Sequence, residues 1–419
     1  MNSHDIQRSI DAVWRMESAR LIAGLVRIVR DVGLAEELAQ DALVAALETW
    51  PGNGVPDNPG AWLMTTARNR AIDRLRHLRL REQKHVQLAY ELEQWQRDVD
   101  MRSDELLDDT VGDDLLRLMF IACHPVLPQE SRVALTLRLL GGLETGEIAR
   151  AFLTSEPTIA QRIVRAKRTL AEAQVPFEIP RRDELPERLS AVLGVIYLVF
   201  NEGYAATSGD DWTRPALCEE ALRLGRVLTG LMPLASEAHG LLALMELQAS
   251  RLPARIAPDG TPILLLDQDR MRWDRLLIGR GLEALHRAEQ LGGALGPYAV
   301  QAAIAACHAR AATAAATDWT RIVALYGALA QIAPSPVIEL NRAVAVSMAS
   351  GPAAALPLVD ALHDEPKLAG YHLLPSVRGD LLFRLGRLDE ARTEFERAAG
   401  MTANARERAL LEARAASCR

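Results

Sequence analysis

Apolar residues recur along most of this chain at the three- and four-residue spacing of amphipathic α-helices. The first such face covers residues 6–32, and a second helix is predicted over 34–50, where Pro51-Gly52 ends it. A third helix is predicted over 59–80. No run of alternating polar and apolar residues is bounded by hairpin turns, so the pattern predicts an all-α fold.

The residue pattern changes twice after these helices, and the changes predict where domains begin and end. Acidic residues outnumber basic ones over 82–114, which predicts a solvated linker behind a first domain at 1–81. Helical patterning resumes at Leu115, so 115–175 is predicted to be a second domain, and prolines that follow it mark its end. Residues 187–419 are rich in Ala and Leu and are predicted to form a third, helical domain.

The third domain contains an internal repeat. Small residues and one aromatic recur at the spacing of a tetratricopeptide unit, with a turn at Gly386 between its two helices. The pattern also occurs thirty-six residues upstream around Gly351, close to the ~34-residue period of such repeats. The two sets are Gly379, Ala391, Phe395 and Ala398, and Ala343, Ala355, Val359 and Leu362. We therefore expect stacked helix pairs with a concave surface for a peptide or protein ligand.

Composition narrows the class of protein. Apolar residues make up 49% of the chain and charged residues 25%, which is ample for buried cores. The net charge of -7 and the pI of about 5.8 argue against autonomous DNA binding, but not against DNA contact inside a larger complex. Four widely spaced cysteines predict reduced thiols, and no apolar run could cross a bilayer. A cytoplasmic protein without membrane contact is predicted.

Residues 141–170 follow the pattern of a helix-turn-helix. A short helix around Ile148 precedes a turn near Thr154, and Ser155 and Pro157 suit the cap and first turn of a second helix. Polar and cationic side chains on the outer face of this second helix suit a DNA major groove. They are Thr158, Gln161, Arg162, Arg165, Lys167 and Arg168. The alternative is a solvated amphipathic helix with no ligand.

Arginine also crowds the predicted third helix. Six arginines lie between residues 68 and 81, and only two acidic residues oppose them in or beside that stretch. Such a helix can follow phosphates, with Arg68, Arg74 and Arg76 as candidates, and Asn69 offers a donor and an acceptor to an exposed base. Here too the alternative is a basic, solvated helix.

Five motifs occur in a fixed order along the first 175 residues. They are Leu34-Ala-Glu-Glu-Leu-Ala-Gln-Asp-Ala-Leu43, Asn58-Pro-Gly-Ala-Trp-Leu63, Ala67-Arg-Asn-Arg-Ala-Ile-Asp-Arg74, Gly146-Glu-Ile-Ala149 and Thr158-Ile-Ala-Gln-Arg-Ile-Val-Arg-Ala-Lys167. Together they resemble domains two and four of the extracytoplasmic-function (group IV) RNA polymerase sigma factors. The runs at 197–204 and 266–275 resemble the subgroup with a tetratricopeptide-like C-terminal extension.

The resemblance implies partners and roles. The partners are core RNA polymerase, through its clamp coiled coil and flap, and promoter DNA, with no cofactor. The helix that docks the clamp carries Leu38, Gln40 and Asp41. Contacts to the −10 element fall to Asn58, Trp62, Arg68, Asn69, Arg74 and Arg76, with Asn69 at the position that reads an extruded base. Contacts to the −35 element fall to Thr158, Gln161, Arg162, Arg165 and Lys167. Two departures are Ala160, where the family often has Arg, and Asp73, for which Arg70 is the expected partner.

A group of three aspartates in the third domain is predicted to have a structural role and not to bind a metal ion. Asp267, Asp269 and Asp274 could suggest a metal site, but we predict a turn and helix cap with Arg270 and Arg275 as ion partners. The three aspartates lack the accompanying glycine and terminal glutamate of a calcium loop.

Asn201-Glu202-Gly203 is predicted to end a helix with a left-handed glycine. No catalytic constellation is found, so the protein is not expected to be an enzyme. We expect a sigma factor whose extension regulates it in cis. The alternative is a helical-repeat scaffold that keeps sigma-like domains without initiating transcription.

Overall fold

The computed structural model describes residues 3–81, 104–152, 154–258, 260–292 and 296–418. Over these ranges the predicted all-α fold is confirmed, with eighteen α-helices and one pair of two-residue strands. The helices group into two compact units, Met1–Val195 and Ile196–Arg419.

The first unit contains a helical bundle followed by a helix-turn-helix. Its helices are α1 (Ser3–Val29), α2 (Val32–Asn53), α3 (Pro59–Arg81), α4 (Asp104–Ala122), α5 (Gln129–Leu139), α6 (Thr145–Ala151) and α7 (Glu156–Glu172). Helix α1 packs against α2, α3 and α4, while α7 packs against α5 and α6. Large side chains such as Trp50, Leu25 and Phe120 are fully buried, so the apolar faces predicted from spacing form the core.

Two predictions for this unit are wrong. Helix α2 does not end at Pro51 but continues to Asn53, because a proline in the last turn deletes few hydrogen bonds and Gly54 at φ 83° ends the helix. The acidic stretch 82–114 is not wholly a solvated linker, since α4 already begins at Asp104 and Asp114 is only 2% exposed. The structure does not describe residues 82–103, so that part of the prediction lies outside the described residues.

The second unit begins inside a long helix and consists of successive packed helices. They are α8 (Leu185–Tyr204), which contains the boundary, α9 (Pro215–Leu231), α10 (Ser236–Ala249), α11 (Arg275–Gln290), α12 (Pro297–Arg310), α13 (Trp319–Ile332), α14 (Pro336–Ser350), α15 (Pro352–Asp360), α16 (Leu373–Arg384), α17 (Leu388–Met401) and α18 (Ala405–Ser417). Short 3₁₀ turns lie at Leu252–Ala254, Arg270–Arg272 and Pro366–Leu368.

The helix pairs predicted from the repeat are present at the predicted places. Helices α14 and α15 are separated at Gly351, and α16 and α17 at Gly386, both with positive φ. Gly379 lets α16 approach α17, because a Cβ there would lie 2.9 Å from a ring carbon of Phe395. Phe395 is 0% exposed, so the small residue and the aromatic form one close contact in the core.

Gly203 does not have the role predicted for it. It lies inside α8, which runs on to Tyr204, and it is absent from the glycines with positive φ. A Cβ at this position would lie 2.7 Å from the backbone nitrogen of Cys218 on α9. The glycine is therefore required by close packing of two helices and not by a left-handed turn.

The beginning and end of the second unit are joined. Strand β1 (Ser208–Gly209) pairs in parallel with β2 (Ala403–Asn404). Asn404 is 0% exposed, and its side-chain amide donates to the carbonyls of Ala206 at 3.1 Å and Asp211 at 2.9 Å. The same side chain accepts from the first backbone N–H groups of α18. The Asn404 side chain thus caps α18 and links the first and last parts of the second unit.

Candidate nucleic-acid interface

The start of α3 is fixed by two residues predicted to lie near DNA. The side-chain oxygen of Asn58 accepts from the Ala61 N–H at 3.0 Å, which caps the helix. Trp62 packs edge-on against the buried Trp50, with ring centroids 5.4 Å apart. These contacts set the direction in which α3 leaves the loop.

The outer face of α3 presents an amide and several guanidinium groups. Asn69, Arg74 and Arg76 are exposed, and Arg68 is partly buried. Arg76 lies 3.7 Å from Asp73, but both side chains are about 70% exposed, so solvent screens this pair. The structure therefore leaves Asn69 on the surface beside cationic side chains, as the sequence predicted.

Arg70 does not pair with Asp73, contrary to the prediction. Its guanidinium donates to the backbone carbonyl of Asp41 on α2 and lies 3.9 Å from the Asp41 carboxylate. The reason is that α2 and α3 pack side by side, which brings a carbonyl and a carboxylate within reach. Asp41 remains exposed beside this contact.

The three residues predicted to bind polymerase differ in accessibility. Asp41 is exposed and Gln40 is partly buried, whereas Leu38 is only 4% exposed and belongs to the core. Leu38 is therefore placed to hold α2 in position and not to form part of its accessible surface in this conformation.

The helix-turn-helix is built as its sequence predicts. Ser155 caps α7 by accepting from the Thr158 N–H at 3.3 Å, and the two hydroxyls lie 2.7 Å apart. Ile148 on α6 and Ile159 and Ile163 on α7 are buried between the helices. The opposite face of α7 exposes Gln161 and Arg165, while Thr158 and Arg162 are partly buried.

Val164, which was not among the predicted site residues, lies on the same outer face. Its side chain is 64% exposed between Gln161 and Arg165, although β-branched apolar residues are usually buried. An apolar side chain at this place could contact the methyl group of a thymine. The available signal was its position, three residues after Gln161 and one before Arg165.

Lys167 is bound to another part of the first unit in this structure. It forms an ion pair with Glu36 on α2, which is 5% exposed. The Glu36 carboxylate also accepts from Arg138 Nε at 2.6 Å and from Gln40 Nε2 at 3.0 Å. Residues predicted for two different partners, Gln40 and Lys167, thus meet at one buried carboxylate.

Two more ion pairs involve α1, one with α4 and one with α6 of the helix-turn-helix. Arg27 lies 3.4 Å from Asp114, and Arg15 lies 3.6 Å from Glu147. Burial raises the pKa of Asp114 more than the charges of Arg27 and Arg117 lower it. A cleft of about 720 Å³ lies beside Arg27, lined by residues that include Arg30, Lys167 and Phe177.

Two of the three aspartates, Asp269 and Asp274, act as caps, but neither forms the predicted ion pair with Arg270 or Arg275. Asp269 accepts from the Met271 N–H at 2.9 Å, and Asp274 accepts from Leu276 N–H at 2.8 Å. Arg270 instead donates to backbone carbonyls and to Thr317, because its side chain enters the helical core where those acceptors lie. Within the described ranges, no cluster of three or more His, Cys, Asp or Glu could hold a metal ion.

Comparison with known proteins agrees with this arrangement. Residues 14–81 match Sigma-70 region 2, residues 117–170 match Sigma-70, region 4, and residues 188–289 match a family of unknown function (DUF6596). The chain is 30% identical to the ECF RNA polymerase sigma factor SigK of Mycobacterium ulcerans over 169 residues, which is 39% of this chain and 85% of that protein. The chain belongs to the ECF RNA polymerase sigma factors. No solved structure matches it.

Two further relatives show how far the likeness extends. An uncharacterized protein of Rhizobium meliloti, R00370, is 45% identical over 406 residues, 96% of this chain and 94% of its own length. A probable ECF sigma factor of Mycobacterium tuberculosis, SigI, is 27% identical over 43% of this chain and 59% of its own length. The sigma regions are those of transcription initiation factors that bind DNA and RNA polymerase. Among the described helices of this sigma factor, none has the length and apolar character to span a bilayer.

Proposed function

We propose that this sigma factor binds core RNA polymerase and opens specific promoters, acting in the cytoplasm without catalytic activity of its own. Residues 1–81 serve polymerase and the −10 element, 115–175 serve the −35 element, and 187–419 regulate both in cis. The observation that supports this most is the exposed Asn69 beside Arg74 and Arg76 on α3. An accessible amide among cations suits a base extruded from single-stranded DNA.

Assignments for the −10 element follow from the outer face of α3. Asn69 reads the extruded base, and Arg68, Arg74 and Arg76 hold phosphates. Asn58 and Trp62 position the helix start, as their contacts with Ala61 and Trp50 support. Opening a duplex costs a few kcal/mol per extruded base, so polymerase must contribute to melting.

Assignments for the −35 element follow from the outer face of α7. Gln161 and Arg165 reach base edges, Val164 meets a thymine methyl, and Arg162 holds a phosphate. Thr158 lies at the helix N-terminus, where phosphates bind favourably. Lys167 becomes available for DNA only when its ion pair with Glu36 opens.

Polymerase contact is assigned to the exposed part of α2. Asp41 and Gln40 form that surface, and Leu38 supports it from the core. The extension binds a peptide or protein segment and changes the activity of the sigma regions. This regulation is motivated by the fusion of a helical unit to the sigma regions through the continuous helix α8.

The proposal is tested by abortive transcription with core polymerase on promoters recovered by this protein. Asn69→Ala is expected to bind the promoter but fail at melting, and Arg165→Ala to weaken promoter binding by about 1–3 kcal/mol. Gln7→Ala and Arg8→Ala change an exposed amide and an exposed arginine on α1 and serve as matched controls. Removing residues after 178 tests cis regulation, which is wrong if neither promoter opening nor polymerase affinity changes.

The second candidate is a scaffold that binds polymerase without initiating transcription. The contacts of Glu36 favour it, because they occupy Gln40 and Lys167 at once. Polymerase binding with no opening of any promoter would support this candidate and contradict the first.

A further inference from the structure

Three arginines and three aromatic rings alternate in the second unit. Their order is Arg270, Trp273, Arg251, Tyr204, Arg255 and Trp212. Arg270 Cζ lies 4.8 Å from the centroid of Trp273, and Arg255 Cζ lies 3.7 Å from that of Tyr204. Arg251, in the middle, lies 5.9 Å from both rings. We call these six residues the arginine–aromatic ladder.

Arg251 is buried without a counterion. It is 8% exposed, and its Nε has no hydrogen-bond partner. No carboxylate of the described residues lies within ion-pair distance of its guanidinium. The Nε of Arg270 also has no partner, but its two terminal nitrogens donate to the carbonyls of His308 and Ala311, each at 2.7 Å, and to the Thr317 hydroxyl at 3.0 Å. A buried guanidinium needs such acceptors, so Arg251 lacks what its neighbour has.

Two titratable groups that interact electrostatically with Arg251, His308 and Tyr326, are uncharged. His308 is 7% exposed and its Nδ1 has no partner, while its ring packs edge-on against Trp319. Burial, followed by the charges of Arg251 and Arg270, lowers the pKa of His308 to about 3, so the ring carries no charge. Burial raises the pKa of Tyr326 to about 12 although Arg251 opposes the rise, so its hydroxyl keeps its proton. Neither His308 nor Tyr326 therefore supplies a negative charge to Arg251.

Cation–π contact does not replace the hydrogen bonds that the guanidinium of Arg251 lacks. At 5.9 Å from two ring centroids, Arg251 lies at the limit of the range in which such contacts are favourable. Rings also accept no in-plane hydrogen bonds from the guanidinium fork, which is the interaction that a buried arginine loses. The ladder fixes the position of the guanidinium fork, but no acceptor among the described residues forms a hydrogen bond with its donors.

We propose that the second unit binds an oxyanion, a carboxylate or phosphate group, at Arg251. The guanidinium fork supplies two parallel donors, and Arg255, which contacts the same Tyr204 ring as Arg251, adds a second positive charge. This inference rests on the geometry of the second unit and goes beyond the proposed regulation in cis. The oxyanion comes from a free small molecule or from an acidic side chain of a bound peptide.

Hydrogen exchange of the full chain tests the site without reference to transcription. Exchange is measured in chloride buffer, in inorganic phosphate at matched ionic strength, and with an acetylated tetraglutamate amide. We expect slower exchange in segments around residues 248–256, by about tenfold for globally limited amides at ten times Kd. Protection by phosphate alone indicates a free anion, and protection by the peptide alone indicates an acidic side chain.

Arg251→Met provides the decisive variant, because it keeps an unbranched stem and removes the charge. We expect its melting temperature in chloride to equal or exceed that of the wild type, while anion-dependent protection disappears. Arg287→Met, at an exposed position of α11, is the matched control and should keep the protection. The proposal is overturned if neither probe slows exchange in the wild type, or if Arg251→Met retains the effect. If Arg251→Met does not fold, the two probes on the wild type still decide.

Discussion

At the scale of single residues, Glu36 on α2 contacts polar side chains from α2, α5 and α7. Its carboxylate is almost fully buried and has Gln40, Arg138 and Lys167 as partners. Burial acts to raise its pKa, but Lys167 and then Arg138 outweigh that effect, so the pKa lies below its ordinary value. The stabilisation it gives is therefore present above the unfolded pKa of about 4.3 and is lost as pH falls through the folded pKa.

Glu36→Gln is expected to lower the free energy of unfolding of the first unit by about 2 kcal/mol at pH 7. The amide cannot neutralise two partly buried cations, which then remain without a counterion. Urea unfolding at pH 7 and pH 4 should show the difference from wild type shrinking at the lower pH. Glu37→Gln, its exposed neighbour on α2, is the control and should change stability by less than about 0.5 kcal/mol. Equal effects of the two substitutions would contradict the argument.

At the scale of elements, α8 contains two glycines in opposite environments. A Cβ at Gly203 would lie 2.7 Å from the nitrogen and 2.8 Å from the sulfur of Cys218. A Cβ at Gly194 would meet no atom within 4 Å. The first glycine permits close contact with α9, whereas the second only weakens the helix.

Gly203→Ala and Gly194→Ala should therefore change stability in opposite directions. We expect Gly203→Ala to destabilise by about 1–3 kcal/mol, because backbone atoms of α9 must move, and Gly194→Ala to stabilise by about 0.5–1 kcal/mol. Thermal unfolding followed by circular dichroism measures both. A loss of stability in Gly194→Ala as large as in Gly203→Ala would show that helix packing is not the cause.

Element types could be predicted because helical periodicity and caps are local properties of the sequence. The Ser155 cap and the turn at Gly386 were accordingly confirmed. The errors concern partners supplied by distant segments. Asp114 was predicted to be solvated, but Arg27, which is distant in the sequence, lies 3.4 Å from its carboxylate. Arg270 was predicted to pair with nearby aspartates, but its acceptors lie about forty residues later in the chain. The positions of Asn69 and Arg165 followed from the face of a helix, but the capture of Lys167 by Glu36 did not.

At the scale of the whole molecule, the chain is divided between two compact units, each with its own core. In the second unit, β1 and β2 connect residues separated by almost the full length of that unit. A stack of helix pairs with free ends would unfold from either end, whereas joined ends favour one cooperative transition. Asn404 is the side chain on which this closure depends, since it bonds to both sides.

Asn404→Ala is expected to lower the free energy of unfolding of the second unit by about 2–4 kcal/mol, because it removes a helix cap and leaves buried carbonyls without donors. Asn404→Asp separates the two roles, since its carboxylate can still cap α18 but cannot donate to the carbonyls of Ala206 and Asp211. Hydrogen exchange should then accelerate at residues 206–211 in both variants, and at the start of α18 only in Asn404→Ala. Asn341→Ala, at an exposed position of α14, should leave both segments unchanged. If Asn404→Asp exchanges like the wild type at 206–211, the strand pair alone closes the unit and the amide contributes only the cap.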